Sequence, residues 1–355
     1  MRKAITKNNT HALIEFKQVQ CGWITQVDWS PDGSTLAVAG ANGVRLYAGE
    51  FGGNPTHVLE GHEGHVKSVA FSPIRSENKD PRLYMASSAS DTTIKLWDAS
   101  DLGGKIKAKT TLSDQGNSVD YVVFSPTFGT DPRARLTLVA CCADGTINLY
   151  DVETKTLKST LRGHEAEVTS ATFALNGHVL ITGSRDNTLR LWDVQSETSG
   201  TILGEHDDWV RHVKISPSGT VIASASKDTT VRLWDAHSGE NLAIIQAHDN
   251  GADCVAFSPD GTLLATGGRD NLIRIWDFSQ AINSDTLTPD DALMTLEGHW
   301  KPIMSLAFNP TGSLLASGSG DNTVRLWGIG SDDFNTDELS LGKTSKLSDP
   351  TESED

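Results

Sequence analysis

Cysteine is scarce in this 355-residue chain, with four in all. Cys141 and Cys142 adjoin in an apolar, strand-like run, while Cys21 and Cys254 lie far off in sequence. These spacings suit no zinc site and call for no disulfide, so a reducing cytoplasm is the expected setting. Long apolar runs are absent too. None reaches the roughly 18 residues that a membrane helix needs, and no membrane partner is expected. The opening MRKAITKNNTHALIEFK is basic but has no apolar h-region, which argues against a secretory signal. No stretch keeps a helical hydrophobic period. An excess of positive charge is also missing, since the formal net charge is −16. Nucleic-acid binding needs a basic footprint, so an acidic body disfavours it. Part of the acidity is local: residues 331–355 hold eight acids and two lysines, a net −6, and leave −10 for the rest.

What the chain has is repetition. GSRDNTLRLWDV (183–194) returns as ASKDTTVRLWDA (225–236), GGRDNLIRIWDF (267–278) and GSGDNTVRLWGI (318–329). Aligned on the aromatic, the copies fall at Tyr47, Trp97, Tyr150, Trp192, Trp234, Trp276 and Trp327, and the steps from Tyr150 to Trp276 are 42 residues each. A fixed period of this size marks a repeat fold. Each unit keeps one internal order. A Gly-His pair or a lone His comes first, then a strand ending Phe-Ser-Pro, a turn such as Pro259-Asp260-Gly261, and a small-residue strand such as LLATGG (263–268). An Asp-containing turn, a TVRLWD-type strand and a last short strand complete the unit. The pieces have strand length, apolar alternation and Gly/Pro/Asp/Asn punctuation.

These strings resemble the WD-repeat family of β-propellers, and the resemblance runs over about residues 12–329. It implies an all-β fold: a closed seven-bladed propeller of four-stranded antiparallel blades, with strands a to d running outward from a central channel. One blade cannot bury both faces of its sheet, so blades must stack. Leu189 and Leu191 share a face by the two-residue period and should pack on the next blade. By the family pattern ALIEF (12–16) supplies the outer strand of blade 7 beside NTVRLW (322–327). The expected organisation is a flexible segment 1–11, the propeller 12–330, and an acidic disordered tail 331–355. The inserts 74–82, 127–135 and 279–292 read as solvent-exposed connections.

His, Ser/Thr and Asp recur in the repeat and invite a serine-hydrolase reading. Their fivefold recurrence, with Trp six residues after each Asp, argues for structure instead. The resemblance implies hydrogen-bonded tetrads His62/Ser87/Asp91/Trp97, His164/Thr182/Asp186/Trp192, His206/Ser224/Asp228/Trp234, His248/Thr266/Asp270/Trp276 and His299/Ser317/Asp321/Trp327. Blade 3 has Asp144 but Ala140 and Tyr150; blade 1 has Val38, a short Asn42-Gly43 hairpin and Tyr47. Neither can complete a tetrad.

The d–a loops share an end of the ring with the b–c turns, and in the resembling family that end often binds proteins or peptides. Before the tetrad Asp stand Ser90, Arg185, Lys227, Arg269 and Gly320, with Ala143 in blade 3. Arg211 and Lys67 should face the same rim, with Trp209, Trp23 and Trp300 in the entrance loops. Trp and Arg are favoured interface anchors. The expected partner is another protein or peptide, with an acidic segment across blades 4–6 near Trp209; the competing expectation pairs these cations with Glu167, Asp207, Asp208 and Asp253. The resulting reading is a non-enzymatic interaction scaffold, monomeric on its own, with no cofactor or metal. The alternative is a propeller enzyme or small-molecule sensor with a site at the channel mouth, for which no metal ligands, nucleotide loop or unique triad stand out.

Overall fold

The structure, a computed structural model, describes residues 2–330 except 42, 50, 52, 75–82, 103, 105, 107, 114–115, 127–135, 175–176 and 195–199. The insert 127–135, the insert 74–82 beyond Ile74, Asn42 and the tail 331–355 lie outside the described residues.

Seven antiparallel blades form the ring. In blade 5 the strands are Val210–Ile215 (a), Val221–Ser226 (b), Thr230–Asp235 (c) and Asn241–Gln246 (d). The other blades repeat this order, and their a strands meet around the channel. The repeated Asp-x-Thr turn has a local cause. The residue after each turn Asp takes a left-handed backbone, with φ of 72° at Asn187, 68° at Asn271 and 71° at Asn322. Asn tolerates this region because its short side chain bonds locally, whereas Thr92 and Thr229 hold it in blades 2 and 5, at 67° and 78°, without that help.

The core is not one mass but seven seams, each between two blades. In the seam of blades 4 and 5, Ile181 and Leu189 meet Val210, Val213, Ile222 and Trp234, with Leu191 packed alongside. In that of blades 7 and 1, Ala316, Val324 and Leu326 meet Ile24, Val27, Trp29 and Tyr47. Burial of each aliphatic side chain contributes roughly 1.5–3 kcal/mol.

An a strand is an edge strand, and its inward N–H groups need partners. Every a strand carries a bulge near its start. In five of the seven blades the residue that follows the bulge accepts from an N–H of the next blade. Gln26 accepts from Val69 N–H at 3.0 Å, Ser68 from Val122 at 3.0 Å, Ser170 from Val213 at 3.1 Å, His212 from Val255 at 3.3 Å and Ser305 from Val27 at 3.1 Å. The ring is therefore laced by side chains as well as packed.

Closure uses both ends of the propeller. Leu13–Gln20 pairs antiparallel with Thr323–Ile329, from Leu13 against Ile329 to Gln20 against Thr323. This strand runs four residues beyond the ALIEF segment, and Arg325 pairs with Glu15 across it. The segment 1–11 is less loose than its polar sequence suggested. Ile5 is 1% exposed in the seam of blades 6 and 7, and its N–H bonds Gly312 O at 2.8 Å. The insert 279–292 also departs from an exposed loop. A short helix, Phe278–Ala281, is capped by Asp277, and Thr286–Leu287 adds a parallel fifth strand outside Asn241–Gln246. Phe278, Ala281 and Leu287 are buried in the seam of blades 5 and 6. A few apolar side chains facing a ready seam outweigh a polar average.

Removing residues 1–20 should strip Ile5 and Leu13 from their seam and leave strand c of blade 7 as an open edge. The expected loss is roughly 3–6 kcal/mol, read as a lowered denaturant midpoint; an unchanged midpoint would contradict the clasp.

Candidate partner-binding face

The five tetrads are assembled within their blades. In blades 2, 4, 5, 6 and 7 the His Nδ1–Asp, His Nε2–hydroxyl and Trp Nε1–hydroxyl distances lie between 2.7 and 3.0 Å. The donors can be ordered. An ionised carboxylate only accepts, so Nδ1–H donates to Asp; the neutral ring then accepts at Nε2 from the hydroxyl, whose oxygen accepts from the indole N–H. Burial disfavours the charged ring and lowers His62, His206 and His299 despite their aspartates. For the carboxyls burial acts upward, but hydrogen bonds outweigh it. Asp91 and Asp270 are held at about 2, and Asp186, Asp228 and Asp321 are also lowered.

The tetrad hydroxyls, read from the sequence as internal structural groups, lie inside the blades. Ser87, Thr182, Ser224, Thr266 and Ser317 are all buried, at 0% exposure, on the b strands inside their blades. None of the five reaches the solvent. The cause is their place in the tetrad. Each hydroxyl lies between a ring nitrogen and an indole N–H: Ser87 between His62 and Trp97, Thr182 between His164 and Trp192, Ser224 between His206 and Trp234, Thr266 between His248 and Trp276, Ser317 between His299 and Trp327. A buried hydroxyl needs partners, and these two use its proton and one of its two lone pairs.

The tetrad also sets the face. Its Asp accepts from the d–a loop, through Glu63, Glu165, Asp207 or Trp300 N–H, and from the b–c turn, through Thr93, Thr188, Thr230 or Thr323. One carboxylate thus fixes both loops of a blade. In blade 6, where Leu272 stands for Thr, Arg274 supplies a bond to Asp270 at 2.7 Å. Blades 1 and 3 lack this clamp. Tyr47 meets Cys21 Sγ at 3.1 Å in blade 1. In blade 3, Asp144 still binds Thr146, and Asn148 accepts from Thr160 at 2.7 Å.

The structure gathers Arg185, Lys227 and Arg211 around one indole. Their charged groups lie 4.7, 4.4 and 5.8 Å from the Trp209 ring centre, which favours cations over its face. Each cation also has a carboxylate. Arg185 pairs with Glu167 at 3.0 Å and Lys227 with Asp208 at 3.0 Å, while Arg211 and Arg269 share Asp253 at 3.0 and 3.2 Å. Lys67 lies 3.7 Å from Asp120, and Asp207 pairs with Arg232 instead. Burial raises Asp253, Asp120 and Glu167, although their basic neighbours oppose it. Trp23 and Trp300 stand apart from this cluster and are well exposed.

A second polar group lies in the channel. Lys214 Nζ of blade 5 donates to Tyr121 Oη of blade 3 at 3.3 Å, and Asp28 of blade 1 accepts from Phe71 N–H at 2.9 Å. Burial pushes Asp28 up to about 6 against Phe71 N–H and Lys214. Lys214 is raised by Tyr121 and, after burial, by Asp28; burial and Lys214 bring His212 down to about 3. Sequence reasoning missed Asp28 and Lys214. The available signal was their repeat position, filled by Ala70, Val123, Thr172, Ala256 and Ala307 in the other blades. Among the described residues no group of His, Cys, Asp or Glu could hold a metal ion, and no helix is long and apolar enough to cross a membrane.

Fold and tetrads define a seven-bladed propeller of internally clamped repeats. Residues 15–47, 53–98, 155–193, 197–235, 239–277 and 291–328 match the WD domain, G-beta repeat family, and the chain belongs to it. Most of blade 3, without a tetrad, falls in the unmatched interval. The chain is 27% identical over 195 residues to the guanine nucleotide-binding protein subunit beta-1 of Nicotiana tabacum, covering 51% of this chain and 46% of that protein. It is 29% identical over 189 residues, with the same coverage, to the corresponding beta subunit of Arabidopsis thaliana. The chain spans about half the length of the curated relatives it matches.

Two pH effects follow. The tetrad carboxyls are lowered from about 3.9, so their stabilisation holds above that value and is lost as pH falls toward about 2. The lowered histidines lose theirs as pH falls below about 6.5. The melting temperature should therefore decline on acidification from pH 7 to 3. Asp28 has the opposite sign, because its raised pKa makes ionisation costly in the folded state. Relative to wild type, Asp28→Asn should gain stability between about pH 4 and 6, to a plateau of about 2–3 kcal/mol. A pH-independent difference in denaturation midpoint would refute this placement.

Proposed function

We propose that this propeller is a non-enzymatic scaffold that holds other proteins through the face of its d–a loops and b–c turns. Its site lies across blades 4–6 and takes an acidic segment near Trp209. The observation that carries the reading is the convergence of Arg185, Arg211 and Lys227 on Trp209, with Arg269 beside them, on one face of consecutive blades. Family membership supports a binding role, and the relatives are themselves named as subunits of a guanine nucleotide-binding protein. A rigid ring presents such loops with little ordering cost on binding.

The paired carboxylates shape the chemistry. An incoming acidic segment must displace or share Glu167, Asp208 and Asp253, so charge here selects a partner more than it adds affinity. Trp209 is already covered by cations, and it acts by positioning them. A cytoplasmic setting and a monomeric free state complete the proposal.

The test is affinity capture with the wild type beside Arg185/Lys227/Arg269→Gln and →Glu variants, each checked by melting temperature. The neutral variant should lose a captured protein at least tenfold and the reversed one should lose it entirely. Equal capture by all three would move the site off blades 4–6. Retention of nucleic acid, with a steep fall in salt, would contradict a protein partner.

A further inference from the structure

Trp300 and Trp23 are the most exposed large apolar side chains among the described residues, at 62% and 47%. They stand on the d–a loops leading into blades 7 and 1, and the b–c turn of blade 7 approaches both Trp23 and Lys301, the neighbour of Trp300. That turn carries Gly320 where blades 4–6 carry Arg185, Lys227 and Arg269. A Cβ on Gly320 would lie 3.6 Å from the Trp23 ring and 3.7 Å from Lys301 Cβ. The missing side chain leaves a notch with a backbone floor. Trp23 forms one wall; Lys301, with its ammonium 4.9 Å from the Trp300 ring centre, forms the other. The rim cations Lys67, Arg185, Arg211, Lys227 and Arg269 each have a carboxylate partner. Among the described residues Lys301 has none. Exposed aromatic side chains mark an interaction site, and the Lys301 ammonium beside one of them favours a carboxylate.

We propose that this notch docks the chain's own segment 337–341, Asp-Glu-Leu-Ser-Leu. The tail starts on the same blade. Strand c of blade 7 ends at Ile329, and Gly330 N–H bonds Ala12 O at the end of the blade opposite the notch. A return along that seven-residue strand spans about 23 Å at roughly 3.3 Å per residue, so about seven extended residues are needed. The first residues to reach the notch are then Asp337 and Glu338, which match Lys301 in charge. Leu339 and Leu341 follow, on one face of an extended segment, and enter between the two indoles. The proposal uses none of the blade 4–6 cations and stands apart from the partner site placed there.

The test uses the full chain labelled with 5-fluorotryptophan, with the Trp23 and Trp300 resonances assigned by Trp→Phe variants. It is compared with a chain carrying Asp337→Asn, Glu338→Gln, Leu339→Ser and Leu341→Ser, all outside the propeller. Both resonances should shift, and their quenching by a soluble gadolinium agent should rise at least twofold, with the other seven of the nine tryptophans unchanged. A peptide of residues 331–345 should reverse the shifts in the altered chain. Gly320→Arg, which fills the notch at a position free of backbone strain, should weaken that peptide at least tenfold; Arg185→Glu should not. Identical Trp23 and Trp300 signals in both chains would overturn the proposal. Protection that depends on protein concentration would assign the notch to a second copy, and equal peptide affinity after Gly320→Arg would place the tail elsewhere; either result also overturns it.

Discussion

A blade of four short strands has two faces and no second layer to cover them. Every other feature of this propeller answers that constraint. Each face is buried only by the next blade, so the core divides into seven seams, and no blade is complete until its neighbours are in place. The seam of blades 7 and 1 must close like the rest, which explains why the first strand of the chain pairs with the last. The same constraint places an edge strand at the channel seven times over. In five blades the side chain following the a-strand bulge satisfies an N–H group of the next blade and ties the two together.

Within a blade, the tetrad carries this order outward to the surface. Its carboxylate is shielded from water yet remains ionised, because the His, the Thr and the loop N–H groups together outweigh the cost of burial. Since those donors come from the d–a loop and the b–c turn, stabilising the carboxylate also fixes the face that carries these loops. The hydroxyls at the inner end, from Ser87 to Ser317, stay wholly inside and anchor the chain of bonds to the indole. Blades 1 and 3 lack the clamp, and both reach across the channel instead. Asp28 and Tyr121 approach Lys214 of blade 5, a polar link among three blades that are not neighbours.

The face itself is divided. On blades 4–6, cations and carboxylates pair with one another around Trp209. On blades 7 and 1, two exposed indoles and Lys301, which has no carboxylate partner among the described residues, stand near a glycine turn. The first arrangement, as the proposed partner site, would discriminate among charged partners. The second offers apolar area and one charge, with little to displace.

Much of this was legible in the chain because a repeat writes its local rules several times. The 42-residue step, the Asp-x-Thr turn and the constant six residues from Asp to Trp place strands, turns and clamping side chains, all of which depend on contacts within one blade or with the next. The residues of the binding rim could also be numbered from the repeat. Their state could not. Whether Arg185 faces solvent, Glu167 or Trp209 depends on how loops of successive blades converge. Ile5 and Leu287 read as parts of polar segments, and only the finished seams show why they are buried. Asp28, Tyr121 and Lys214 are the clearest case. They lie far apart in sequence and on blades that do not touch, so nothing in their local patterns joins them. The sequence by itself determined the blade, because a blade is local and periodic; the tertiary structure alone decided what the channel and rim bring together, because those meetings exist only once the ring has closed.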